Sequence, residues 1–353
     1  MDEKLISKKK PSYLISKKLN AYLTKYSRNV LMPVFYDDLL RYSGSVEVYD
    51  KSGVDTLWIR VYYSEIERDE IDLNLKKIYT ILHADGSDDS LPYLNVDTVD
   101  YCTFGNSKPF RIKIRNILND NYTYIYIKKA DASRIYGLEL EHLLSPDRIN
   151  FLVYKDTLVE SHIQGIPGDV FMSAGYQKFS SKDQKQLSKE FVKFNERCMI
   201  RLLGDMRSYN YVIVPIHDFD QVQYRIRAID FDQQSYEGKL KVYMPQFLKE
   251  NSKYVDMVSD NLREESVNQY KIEERSAISK RIIRAHHRVD SLLKCMSTDR
   301  ISSREKVEAL KRDLYEYTKD RNFKKCSNMG EILKVGFDFV VRNYENENHY
   351  VIH

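Results

Sequence analysis

The chain has 353 residues, 42% hydrophobic and 31% charged, which is enough for one or two packed domains and too apolar for wholesale disorder. A formal charge of +4 carries no strong nucleic-acid signal, and four scattered cysteines (Cys102, Cys198, Cys295, Cys326) with no C-x-x-C pair argue against a disulfide framework or a zinc ribbon. No run approaches the ~18 apolar residues of a transmembrane segment, and MDEKLISKKK has no apolar leader core, so the expectation is a cytoplasmic globular protein.

Residues 1–94 read as an α/β extension. Residues 1–30 carry +6, leaving about −2 for the remainder; such a basic arm suits an anionic surface or is simply a solvated end. A helix over about 12–27 precedes the hairpin SVEVYDKSGVDTLWIRVYY, whose DKSG turn parts two alternating runs. In EIERDEIDLNLKKIYTIL, the residues Ile71, Leu75, Ile78 and Leu82 share one helix face. The loop-rich stretch 83–92 marks a boundary.

Beyond it, VDYCTF, FRIKIRN, YTYIYIKK, INFLVYK and TLVESHI read as strands, with one helix, ASRIYGLELEHLL, inserted after the third. From 173 onward the texture is helical. Ser181 and Gln184 form a capping-box pattern, followed at helical spacing by Leu187, Phe191, Phe194, Cys198 and Leu202. Two strands, YVIV and YRIRAIDF, come next, and charged helices run from about 246 to 346.

At the end of the long helix stands LLGDMRSYN, with Asp205 five positions before Asn210; twenty residues on, RIRAIDFD places Asp230 and Asp232 either side of Phe231. Taken singly, these are ordinary turn and cap residues. Together they have the composition of a metal–nucleotide site. Phosphoryl transfer needs a carboxylate to orient the attacking hydroxyl, oxygen ligands for Mg²⁺ and a cation on the phosphates. An acid after Ala228-Ile229 is also hard to place at a strand end without a function.

In this order the elements resemble the protein-kinase-like superfamily. GDMRSYN is similar to its catalytic-loop pattern D-x-x-x-x-N, and AIDFD falls where the superfamily carries its metal-binding Asp. Asp-Phe-Asp and Gly204 before Asp205 look closer to the aminoglycoside and choline kinase branch. The resemblance covers about 95–240 and implies an α+β, bilobal kinase-like fold. Its β-rich N-lobe (95–165) holds one inserted helix, and its mainly helical C-lobe spans 166–353. It implies ATP and Mg²⁺ as cofactors, Asp205 and Arg207 as catalytic residues, and Asn210, Asp230 and Asp232 as metal ligands, Asp232 being equally a solvated turn residue. Gly105 would lie in a phosphate-covering loop. Lys128 or Lys129 would hold the phosphates, with Glu139 or Glu141 as ion-pair partner. Backbone groups near Glu160, Ser161, His162 and Ile163 would meet the adenine.

The sequence departs from the family at Leu203, where many relatives have a His, and at the missing run of glycines around Gly105. The short span after Asp232 leaves little room for a phosphorylatable activation segment. The sequence therefore reads as a kinase-like phosphotransferase acting on a protein or small-molecule hydroxyl. Two other readings stay open: a pseudokinase-like nucleotide-binding scaffold, and protein nucleotidyl (AMP) transfer on the same fold. His286 and His287, without a nearby carboxylate at ligand spacing, read as surface residues.

Overall fold

Alternating apolar residues in the first half of the chain form an antiparallel sheet. The computed structural model describes residues 10–83, 86–104, 107–174, 179–218 and 221–343. They fall into two compact units: Leu14–Asp131 with Ile149–His162, and Met1–Tyr13, Ala132–Arg148 and Ile163–His353.

The first unit holds α1 (Lys17–Lys25), α2 (Tyr36–Leu39), β1 (Gly44–Tyr49), β2 (Asp55–Tyr62), α3 (Glu65–His83), β3 (Leu94–Cys102), β4 (Phe110–Asn116), β5 (Tyr122–Lys129), β6 (Phe151–Tyr154) and β7 (Thr157–Ser161). The seven strands pair in the order β1-β2-β3-β4-β5-β7-β6. The predicted hairpin therefore joins the same sheet, β2 pairing with β3 through Arg60 and Asp100. Alternation sends Phe110, Ile112 and Ile114 of β4 and Ile125 and Ile127 of β5 into one core. There they meet the predicted face of α3: Ile71, Leu75, Ile78 and Leu82. Each such side chain contributes ~1.5–3 kcal/mol when fully buried. The opposite face carries polar and aromatic residues, among them Lys128 and Tyr126.

The second unit holds α4 (Ala132–Leu144), β8 (Ile166–Pro167), α5 (Gly168–Ser173), α6 (Ser181–Arg201), β9 (Tyr211–Asp218), β10 (Gln221–Ala228) and α7 to α11 (Ser252–Asn261, Glu264–Arg284, His286–Met296, Arg304–Thr318 and Met329–Asn343). A small sheet orders β10-β9-β8. The cap of α6 is one residue earlier than the capping-box pattern suggested: Ser180 Oγ accepts from the Asp183 N–H at 3.2 Å. The helix expected from about 246 is instead a series of 3₁₀ turns over Leu240–Asn251. Pro245 lacks an amide donor there, and the buried Asn251 amide donates to the carbonyls of Met206 and Pro245 at 2.8 Å each. Among the described residues no helix is long and apolar enough to cross a membrane.

Candidate active site

The loop Gly204–Asn210 lies entirely in the second unit and is shaped by its main chain. α6 ends on Leu202 in the left-handed conformation, φ 52°, and Leu203 forms an isolated bridge with Gln234. This bridge, with Gln234 Nε2 donating to the Arg201 carbonyl at 2.6 Å, braces the loop at Leu203. Gly204 follows because space is short. A Cβ there would stand 3.1 Å from Val242 Cγ1 and 3.2 Å from the Gln233 carbonyl oxygen.

Asp205 also has a positive φ, 59°, a conformation that Asp and Asn tolerate better than most residues. Its carbonyl accepts from Asn210 Nδ2 at 2.7 Å, and the Asn210 carbonyl accepts from Ile229 N–H at 3.0 Å. These two bonds tie the segment before β9 to the one after β10. Asp230, twenty residues beyond Asn210, is thus brought beside Asp205 and Asn210. Burial pushes the Asp205 carboxyl up to about 6, reinforced by the neighbouring Asp230 and Glu250 carboxylates and opposed by the Arg207 guanidinium. Arg207 Nε lies 2.8 Å from Asp205 Oδ1, but without hydrogen-bond alignment. Its Nη1 also reaches Tyr209 Oη at 3.1 Å and Glu250 Oε1 at 3.2 Å. Arg207, expected as a catalytic residue, is therefore engaged with the candidate base.

Asp230 and Asp232 share a partner that sequence reasoning missed. Arg134, on the first turn of α4, places Nη1 2.8 Å from Asp230 Oδ1 and 2.9 Å from Asp232 Oδ1. Ser133 Oγ donates to the Gln234 carbonyl at 2.8 Å. α4 comes so close that a Cβ on Gly137 would be 3.0 Å from Phe231 Cβ. The available signal was an Arg amid the apolar residues of ASRIYGLELEHLL, which a buried helix keeps only if the charge is paired.

The glutamates of the inserted helix, expected as partners of the third-strand lysine, are paired within their own unit. Glu139 pairs with Arg288 at 2.8 Å and Glu141 with Arg201, both inside the second unit. Lys128 pairs instead with Glu160 at 3.0 Å, and both side chains are more than nine-tenths buried. In the β5–β7 register Tyr126 faces Glu160 and Lys128 faces Leu158, so Lys128 and Glu160 are diagonal neighbours on one face. Lys129 points the other way, exposed and 3.8 Å from Asp37 and from Asp156. The N–H groups of Ser161 and His162 donate to the carbonyls of Asn150 and Tyr124. Ile163 is buried, and Gly105 lies outside the described residues.

This asymmetry gives a direct expectation. Lys128→Ala removes one half of a buried ion pair and costs about 3–5 kcal/mol, whereas Lys129→Ala stays within ~0.5 kcal/mol. Urea denaturation of the two variants checks this; equal midpoints would reject the buried pair.

No family model matches the sequence, and no curated protein matches it. Among solved structures, a crystal structure of a kinase domain shares 12% identity over 77% of this chain and 96% of its own, with a TM-score of 0.27. At that level the likeness adds nothing to what the residues themselves show.

Proposed function

We propose that the protein is a kinase-like phosphotransferase using ATP and Mg²⁺, with Asp205 orienting an acceptor hydroxyl. The observation that carries this reading is the convergence of Asp205, Asn210 and Asp230 through the Asn210 bonds to Asp205 and Ile229. Asp205 is basic enough, at about 6, to take the hydroxyl proton, and it is largely ionised at neutral pH. In this scheme the acceptor oxygen bonds to the γ-phosphorus as the bond to ADP breaks, and the proton passes to Asp205 and then to solvent.

Asn210 and Asp230 would hold Mg²⁺, which when bound neutralises phosphate charge. The donor set suits such an ion. The ion pairs set Arg134 against Asp230 and Asp232, and Arg207 against Asp205 and Glu250: two carboxylates to each guanidinium. Burial raises the Asp205 pKa first, and the Asp230 and Glu250 carboxylates add to it. Among the described residues no group of three or more His, Cys, Asp or Glu side chains is placed to hold a metal ion, but Mg²⁺ commonly takes one or two carboxylates and completes its shell with phosphate and water.

Metal-coupled nucleotide binding is the test. A ligand at about 100 times its dissociation constant stabilises the folded state by ~2.7 kcal/mol, a shift of several degrees for a chain of this size. ATP with Mg²⁺ is expected to raise the melting temperature well above ATP with EDTA, and Asp230→Ala to abolish the difference. No magnesium-dependent shift in the wild type at millimolar ligand would sink the assignment.

The rival reading is a nucleotide-binding scaffold, favoured by the Arg134 grip on Asp230 and Asp232; it predicts binding without turnover. The same residues would serve adenylyl transfer to a protein, which the mass of the adduct distinguishes from phosphoryl transfer.

A further inference from the structure

We infer that Arg134 is a resident cation standing where a second metal ion would otherwise bridge Asp230 and Asp232, so that the site takes a single divalent cation with its nucleotide. The inference rests on the phosphotransferase reading above and deepens it.

Two metal ions between a nucleotide and a pair of carboxylates would each need carboxylate lone pairs. Here one nitrogen, Arg134 Nη1, occupies Oδ1 of both acids, at 2.8 Å and 2.9 Å. Asp230 Oδ1 also accepts from the Asp232 backbone N–H at 3.1 Å. A guanidinium does not lose its proton in a protein, so this positive charge is permanent at any working pH.

Nor is it readily displaced. Arg134 is 2% exposed, its Nη2 lies 3.4 Å from the Ile229 carbonyl, and its guanidinium carbon sits 5.9 Å from the Phe231 ring centre. Its neighbour Ser133 holds the Gln234 carbonyl, which fixes the first turn of α4 to the segment 229–234. Expelling Arg134 would leave a buried charge without compensation. Asp232 is then the anchor of Arg134 rather than a metal ligand, and Asn210 with Asp230 remain to receive one ion. Arg134 itself is a positioning residue: it holds Asp230 in place and supplies charge without touching the acceptor.

Native mass spectrometry of the full chain with a non-hydrolysable ATP analogue and Mn²⁺, after gel filtration, counts metals directly. One Mn²⁺ per nucleotide-bound wild-type chain is expected, and Arg134→Lys should keep that count. Arg134→Gln should bind two, and Mn²⁺ should raise its melting temperature more than that of the wild type. Two Mn²⁺ on the wild type would overturn the inference while leaving the phosphotransferase reading intact. That count needs no variant, so it stands even where Arg134→Gln fails to fold. A single Mn²⁺ on a folded Arg134→Gln chain would likewise overturn it. Binding of neither nucleotide nor Mn²⁺ by the wild type would overturn the underlying reading, and the inference with it.

Discussion

Asp205→Asn is expected to cut turnover by roughly 10²–10⁴ and, at pH 8, to make the protein more stable than the wild type. The two effects share one cause. Burial and the Asp230 carboxylate raise the Asp205 pKa from 3.8 to about 6, so the folded state binds this proton more tightly than the unfolded chain. The favourable contribution of the carboxyl is therefore fully present below pH ~3.8 and is lost as pH rises through about 6. By pH 8 the wild type holds a carboxylate its surroundings disfavour, an effect on the order of 3 kcal/mol in which the opposing Arg207 guanidinium is already included. Asn also accepts the left-handed backbone at φ 59°. Melting curves of both proteins across pH 4–8, without metal, should diverge with rising pH and converge near pH 4. A variant with wild-type turnover would remove Asp205 from the mechanism. One that becomes progressively less stable than the wild type as pH rises would show that the Arg207 pair outweighs burial.

The second large effect lies behind the site. Glu141→Leu should cost about 3–5 kcal/mol, because Arg201, 1% exposed, loses the carboxylate that Glu141 supplies from α4. Arg201 Nε also donates to the Arg197 carbonyl at 3.1 Å, which does not neutralise charge. Activity should fall with stability, since the Arg201 carbonyl receives Gln234 Nε2 and Leu202 begins the loop that carries Asp205. Combining Glu141→Leu with Arg201→Met should restore most of the stability, apolar replacement of both partners being far better tolerated than removal of one. Guanidinium denaturation of the single and double variants decides: a single variant within 1 kcal/mol of wild type would make the buried pair irrelevant.

Much of the architecture was readable from local signals. The apolar period of α3, the alternation of β4 and β5, the single helix after the third strand and the hairpin between Asn210 and Asp230 all depend on neighbours within a few residues, and the structure contains each of them. The spacing that suggested Asp205, Asn210 and Asp230 as a group is likewise a local signal. Partner choice among charged residues was not readable, because an ion pair is set by packing between segments tens of residues apart. Lys128 meets Glu160 on its own sheet face because the strand register sets the two diagonally. Glu139 and Glu141 turn toward Arg288 and Arg201 because α4 is buried among helices of its own unit. Arg134 looked like one polar residue in an apolar helix. Only the turn of residues 229–234 around the start of α4 makes it the shared partner of Asp230 and Asp232. Residue types and their order along the chain thus pointed to the candidate chemistry, whereas the charge each group feels depends on desolvation and on distances that arise only when remote segments pack together.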